Sequence, residues 1–434
     1  MATGVLPPLD PAGSSTEVAA VEKDFKIREI TPPFAPDSRQ AWFRLAVALV
    51  IGSIGSVGMW SVVVALPAVQ GEFAASRGAA SLAFTLTMAG FGIGGVAAGR
   101  LTDRFGIVAV IALAAVLMGL GYVAAAQASA LWQFNLICVA VGAGSSATFG
   151  PLMAEASHWF ERRRGIAVSI AATGSYIGGT FWPPLVGWSI QEFGWRPAHI
   201  AIGVASSLTM LAMLAVLRVQ IGAGSRRSHL DAPPPRIDLR LSSNTLTTLL
   251  CVAGIACCVA MAMPQVHIVA YCGDLGYGVA RGAEMLSLML GFGIISRVGS
   301  GFLADRIGGI RTLLLGSVAQ GFALLFYLFF DSMTSLYIIS AMFGLFQGGI
   351  VPAYAIIIRE AMPASEAATR VGTVIFGTVV GMSLGGWVSG IIFDATGSYA
   401  AAFVNGLGWN ALNVTIMTAL LLRARSRLRL AAAA

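Results

Sequence analysis

Lysine is almost missing from this chain: Lys23 and Lys26 are the only two in 434 residues, and both precede the first long apolar run. Charged residues of all kinds make up 11% of the chain and hydrophobic ones 57%. With a mean hydropathy of +0.80, that balance excludes an ordinary water-soluble globular domain. There is no phosphate-binding loop, no pair of catalytic carboxylates and no nucleophile–base motif, so neither an enzyme nor a cofactor is expected. Cys138, Cys251, Cys257, Cys258 and Cys272 lack metal-ligand spacing, and four of them fall inside apolar runs. They read as small packing residues, and no metal is expected. The first 40 residues, rich in Pro, Ser, Ala and acidic side chains, lack the basic start and apolar core of a cleaved signal.

What is present is apolar length. Runs long enough to cross a hydrocarbon core on a helix recur at 43–66, 79–101, 107–127, 131–154, 165–188, 198–218, 246–271, 282–303, 311–330, 334–358, 370–393 and 400–422. They predict an all-α membrane protein with twelve transmembrane helices. If the first run starts in the cytoplasm, Arg77, Arg196 and Arg281 are the only external cations, and 23 of the 27 Lys and Arg lie inside. That asymmetry places both termini in the cytoplasm. Clusters such as Arg162, Arg163 and Arg164, or Arg423, Arg425, Arg427 and Arg429, then hold topology and meet anionic lipid head groups. The net charge of +7 therefore needs no nucleic-acid partner.

The chain also repeats itself. GRLTDRFG at 99–106 returns as GFLADRIG at 301–308, so that Gly99, Leu101, Asp103, Arg104 and Gly106 answer to Gly301, Leu303, Asp305, Arg306 and Gly308 at one offset of 202. Pro151 and Pro352, Gly187 and Gly390, and Gly194 and Gly397 recur at offsets of 201 to 203. Six runs and then six more, starting on the same side, make a parallel repeat about an axis along the membrane normal. The expected divisions are a disordered tail over 1–41, a six-helix bundle over 42–218, a linker over 219–245 containing DAPPPR, a second bundle over 246–423 and a tail over 424–434.

The doubled G-x-L-x-D-R-x-G signature resembles the major facilitator superfamily over all twelve runs, which implies the major facilitator fold. WFERRRGIAVSIAATGSYIGG at 159–179 resembles the fifth-span entry of the monocarboxylate porters and the related oxalate/formate antiporters. The resemblance implies that Asp103 with Arg104, and by symmetry Asp305 with Arg306, latch the inner ends of the two halves. A carboxylate there can face the positive end of a helix and accept charge-assisted hydrogen bonds from arginine. Ile107 departs from the family, which has a basic residue after Gly106, and weakens the expected latch on that side.

Arg297 is the one charge deep in a run. It aligns with Gly95 in the first half, so the symmetry of the fold does not require it. Eight residues separate it from Asp305, which puts it about 12 Å deep on a helix. Its neighbours Gly293, Ser300 and Gly301 suit a cavity wall better than a lipid face. A charge at that depth costs at least about 2.5–3.5 kcal/mol and needs compensation. Glu284 is about 20 Å away along the same helix, and Glu155 and Glu360 sit at inner span ends. Two readings stay open: structural pairing, with backbone carbonyls or indirectly with those acids, and an anionic ligand held by the planar fork. The resemblance favours the second, since an arginine at this place on the eighth span binds substrate in the families named.

Departures narrow the ligand. The membrane lysines that those families carry on the first or the eleventh span are absent, and one cation matches a monoanion better than a dianion. Trp60, in the region of the missing first-span lysine, points to a more apolar pocket. Tyr176, Gln347 and, nearer a span end, His267 and Tyr354 are further polar or aromatic candidates, each more often a packing or hydrogen-bonding residue than a ligand contact. Gly377, Gly381 and Gly385 form a smooth packing stripe, and Pro183-Pro184 is expected to kink or end its helix. Proton-coupled relatives keep an aspartate one turn before the arginine, and here that place is Gly293, which implies exchange or uniport with His267 as the one alternative proton carrier. The expectation is a transporter of the inner membrane, monomeric, carrying a small organic monoanion such as a monocarboxylate by alternating access. The alternatives are an efflux porter for hydrophobic or drug-like compounds and a transporter-like sensor.

The topology has a direct check. With Ser76→Cys and Ser228→Cys placed singly in a cysteine-free background, an impermeant thiol reagent should label the first from outside and the second only after permeabilisation; external labelling of both refutes the assigned orientation.

Overall fold

The computed structural model describes residues 37–160, 164–218 and 239–433. The tail up to residue 36, Arg162, Arg163 and linker residues 219–238 lie outside the described residues. The described chain is helical, without strands: α1 Arg39–Gly55, α2 Val57–Glu72, α3 Arg77–Phe105, α4 Ile107–Ala126, α5 Leu131–Ala147, α6 Gly150–Trp159, α7 Arg164–Phe193, α8 Trp195–Arg218, α9 Ser243–Asp274, α10 Val279–Ile307, α11 Gly309–Phe329, α12 Met333–Gln347, α13 Ile350–Ala361, α14 Ala364–Thr396 and α15 Tyr399–Ala433. The last helix continues through residues expected to form a tail. Without water in the hydrocarbon, each backbone N–H and C=O must pair within its own segment, which is why apolar runs become helices.

Ten stretches are long and apolar enough to cross a membrane. The other two of the twelve runs correspond to α7 and α15, of 30 and 35 residues, whose apolar stretches are interrupted by Gly, Ser, Thr and Pro in α7 and by Asn405, Asn410 and Asn413 in α15. In α15 those groups pack the bundle: Asn410 donates to the Ser317 carbonyl at 3.0 Å, and Asn413 to the Ala253 carbonyl at 2.8 Å. Three runs are each broken once, at Ser56, at Thr148–Phe149 and at Gly348–Gly349. The last two breaks precede Pro151 and Pro352, which have no N–H to offer the carbonyl four residues back. Pro183 and Pro184, by contrast, lie within α7 without ending it. The reason lies on the neighbouring helix: the Thr180 carbonyl, which Pro184 cannot satisfy, accepts a hydrogen bond from the Ser287 hydroxyl of α10.

The repeat is written into close helix crossings. A Cβ on Gly142 would run into the carbonyl of Thr87, and one on Gly344 into that of Met289, so both partners and both glycines are 202 residues apart. Gly106 and Gly308 match as well. Each ends its helix with φ of 79° and 82°, a region that side chains with a Cβ avoid. Two bundles result, α1–α8 and α9–α15, and they meet where α3 packs on α14, α7 on α10 and α2 on α9.

These seams cover only part of the helix length. Along α3, Gly78, Ser81, Phe84 and Thr85 contact Ile391, Gly390, Gly386 and Ser383 of α14, and Gly92 still approaches Phe376. Along α7, Gly187, Thr180, Gly179 and Tyr176 meet Ala283, Ser287, Leu290 and Gly293 of α10. Beyond these points the halves part. Nothing lies within 4 Å of a Cβ placed on Gly99, Gly299, Gly301 or Gly372. No residue between 77 and 90 is exposed, whereas most of the described residues from 93 to 105 are. The protein is therefore closed at the end bearing Arg77 and open at the end bearing the repeated loops.

The two crossings can be tested together. Gly142→Val and Gly344→Val should each lose about 1–3 kcal/mol or more to overpacking, seen as a lower melting temperature in detergent. Gly408→Ala, with nothing within 4 Å, should melt like the parent; equal losses at all three would remove the close-approach explanation.

Candidate functional site

Arg297 sits at the last contact of the α7–α10 seam, where the two halves begin to separate. It is half-buried. Its Nη1 donates to the Ala172 carbonyl of α7 at 3.1 Å and its Nε to the Gly348 carbonyl at 3.4 Å. The second bond follows from the break between α12 and α13: Pro352 cannot bond back to Gly348, so that carbonyl is free to accept from a side chain. The guanidinium lies over the ring of Tyr176, 4.2 Å from its centroid, a cation–π contact that strengthens as water is removed. Nη2 has no partner among the described residues and is not buried.

Among the described residues, no carboxylate pairs with it. The ion pairs among the described residues join Arg44 to Glu155, Arg77 to Asp274, Arg196 to Glu72, Arg281 to Glu284 and Arg370 to Glu366. Glu155 is thus held by Arg44, and Glu284 by Arg281 and Tyr337. Glu360 accepts from the Gly309 N–H at 3.0 Å, at the start of α11. Of the structural-pairing alternatives, only backbone carbonyls reach Arg297, and they solvate the charge without neutralising it.

Tyr176 explains the missing acid. A Cβ on Gly293 would run into the Tyr176 ring, so the ring fills the space that a carboxylate one turn before the arginine would need. An aromatic face replaces a fixed negative charge beneath the guanidinium.

The other expected residues fall into two groups. Gln347 immediately precedes Gly348 and is buried; its Oε1 accepts from Gln265 at 2.8 Å, and its own Nε2 is buried without a partner. Trp60 lies higher on the α7 wall, where its indole N–H donates to the Ser175 carbonyl at 3.2 Å. Trp60, Tyr176, Gln347 and Arg297 therefore line the region where α2, α7, α10 and α12 approach. His267 is elsewhere. Its Nε2 is 2.7 Å from the Gly386 carbonyl and its Nδ1 3.3 Å from the Tyr399 hydroxyl, at the closed end. Tyr354 accepts from Asn413 at 2.6 Å in the core of the second half.

The second repeated loop is unlatched among the described residues. Asp305 and Arg306 are exposed and have no ion-pair partner among the described residues, and Arg104 stacks on its neighbour Phe105 at 5.2 Å. The side chain of Asp103 lies outside the described residues. Two features escaped the sequence reading. Gln265 carried only the signal of an amide beside Pro264 in an apolar run. The cluster at the closed end, described below, joins Arg77 to residues some two to three hundred positions away, and only its being one of three external cations marked it.

The family model of the major facilitator superfamily matches residues 48–343 and 300–433. Among curated proteins, the chain is 28% identical to monocarboxylate transporter 13 of Bos taurus over 372 residues, 82% of each chain. It is 25% identical to an agnestins efflux protein of Paecilomyces divaricatus over 58% of this chain and 57% of that one. Among solved structures, a bacterial homologue of the human lysosomal transporter Spinster, inward-facing and occupied, superposes with a TM-score of 0.65 at 14% identity, covering 88% of this chain and 95% of that one.

The Tyr176–Gly293 contact predicts coupling. Gly293→Ala should lower the melting temperature in the parent, and most of that loss should vanish in a Tyr176→Ala background, because the two positions share one space. The same loss in both backgrounds would place the clash elsewhere.

Proposed function

The chain belongs to the major facilitator superfamily, and on that premise we propose that it carries a small organic monoanion, a monocarboxylate, by alternating access, with Arg297 holding the carboxylate. One observation carries this reading: a half-buried guanidinium with no acid partner among the described residues, at the point where the halves part, keeps Nη2 unpartnered. The charge asymmetry puts the open end and both termini in the cytoplasm, in an inner (plasma) membrane, so the state described is inward-open. The relative named as a monocarboxylate transporter supports the ligand class. The relative named as an efflux protein leaves the direction of flux to experiment.

The chemistry follows from where Arg297 stands. It bonds to a carbonyl of the first half and to one of the second, so a carboxylate seated on it lies between two bodies that must rock past each other. Its planar fork holds a carboxylate by two parallel bonds. Binding cancels the charge and lowers the cost of closing the site within the hydrocarbon. An empty site keeps its charge and reorients slowly, which favours exchange of one anion for another, or uniport. Both ring nitrogens of His267 are engaged at the closed end, away from this step.

Arg297→Ala should abolish binding and uptake of monocarboxylates in proteoliposomes while the protein still folds, and Arg297→Lys should retain part of both. Efflux of labelled substrate from preloaded vesicles should accelerate when unlabelled substrate is added outside. Normal transport by Arg297→Ala refutes the site. Accumulation driven by a pH gradient alone, unchanged by His267→Gln, refutes the exchange mechanism.

A further inference from the structure

At the closed end the two halves are tied by two separate devices. The Asp394 carboxylate, from the end of α14, accepts from the backbone N–H of Arg77 at 2.7 Å and of Gly78 at 2.6 Å. An acid of the second half thus caps the first turn of α3 in the first half, where N–H groups are unpaired and the helix dipole favours negative charge. The Arg77 side chain is a different matter. It is 8% exposed; Nη1 donates to the Tyr399 hydroxyl at 2.9 Å, Nη2 to Asp274 Oδ1 at 3.0 Å, and the guanidinium lies 4.9 Å from the centre of the Phe393 ring.

One arm of this arginine is idle. Nε and Nη2 form the side-on edge that a carboxylate can hold with both oxygens. Asp274 uses only Nη2, and Nε is buried with no partner among the described residues. A buried, unpaired donor on a cation is costly and in want of an acceptor. The same residue lines a cavity of about 330 Å³ with Pro67, Gln70, Gly71, Ala75 and Asp274, large enough for a small acid. Asp274 is the weak member of the pair. Its side chain is 38% exposed, so it can turn into water at little cost, and it ends α9, where the helix dipole disfavours a carboxylate.

We infer that this cavity is a second anion station at the outer mouth, where an incoming small carboxylate displaces Asp274 and occupies both Nε and Nη2 of Arg77. Displacement removes one of the two hydrogen bonds by which the Arg77 side chain holds the second half, so arrival of the anion loosens the outer closure, while Tyr399 still accepts from Nη1 and Asp394 still caps α3. The ligand class rests on the function proposed above; the site itself does not require Arg297.

The test reads the cavity and not the transport. Gln70→Cys places a reporter in its wall; Cys138, Cys257, Cys258 and Cys272 are buried and Cys251 lies toward the opposite end of α9, so an impermeant thiol reagent added outside reads the new site. The experiment is run on full-length protein in proteoliposomes, in the Arg297→Ala background, with acetate, butyrate and benzoate as protecting anions. Protection should persist without Arg297. Asp274→Asn should lower the half-protecting concentration, and Arg77→Gln should raise it about tenfold or more, the loss of a charge-assisted bidentate contact. If Arg77 were only a gate tie, both substitutions would loosen the outer closure and move labelling in the same direction. That result, or no protection by any of the three acids, overturns the station. The mild Asp274→Asn change keeps the test decisive should Arg77→Gln fold poorly, because protection it does not strengthen also refutes the competition. Protection alongside normal transport by Arg297→Ala leaves the station standing and removes the central site instead.

Discussion

A backbone in hydrocarbon must satisfy its own polar groups, and the prolines show what happens where it cannot. Pro184 leaves the Thr180 carbonyl without its helical partner, and Ser287 of the opposite half takes it up. Pro352 does the same to Gly348, and Arg297 takes up that carbonyl. These two proline-freed acceptors thus lie on the α7–α10 side of the protein, one joining the halves and one holding the half-buried cation. Helices that are polar only where a proline opens them can put a few directed bonds in an otherwise apolar contact.

Arg77 and Arg297 divide the labour of a rocking protein. Arg77 sits among Asp274, Asp394 and Tyr399 at the closed end, paired and stacked. Arg297 sits at the edge of the opening with two carbonyls, one aromatic face and no acid. Fixed pairing suits a closure that must hold in one state and release in the other. An unpaired charge suits a site whose partner comes and goes. The repeated loops at the open end, where Asp305 and Arg306 are exposed, complete the picture of one end tied and the other free.

Much of this was legible in the sequence because it is periodic. Span lengths, the offset of 202 and the charge asymmetry follow from hydrophobic length and loop composition, which act locally. The depth of Arg297 and its small neighbours Gly293 and Ser300 were legible for the same reason. What occupied the space beneath it was not. Tyr176 is 121 residues earlier, and only packing of α7 on α10 brings its ring against Gly293. The surroundings of His267 were not legible either, because a histidine in an apolar run looks the same whether it faces a cavity or, as here, a carbonyl and a tyrosine hydroxyl.

The sequence by itself determined that the chain spans a membrane many times, in two like halves, with one cation buried against the usual economics of hydrocarbon. Those properties depend on length, period and count. Tertiary structure alone decided which end is closed, which acids are already taken and that Arg77 keeps an idle donor beside a cavity. The physical reason is that pairing is a matter of distance between helices far apart in the chain. Asp394 on the first turn of α3 and Tyr176 under Arg297 are each fixed by how the two bundles pack, Glu155 on Arg44 by how α1 and α6 pack within the first, and no local pattern of residues encodes those choices.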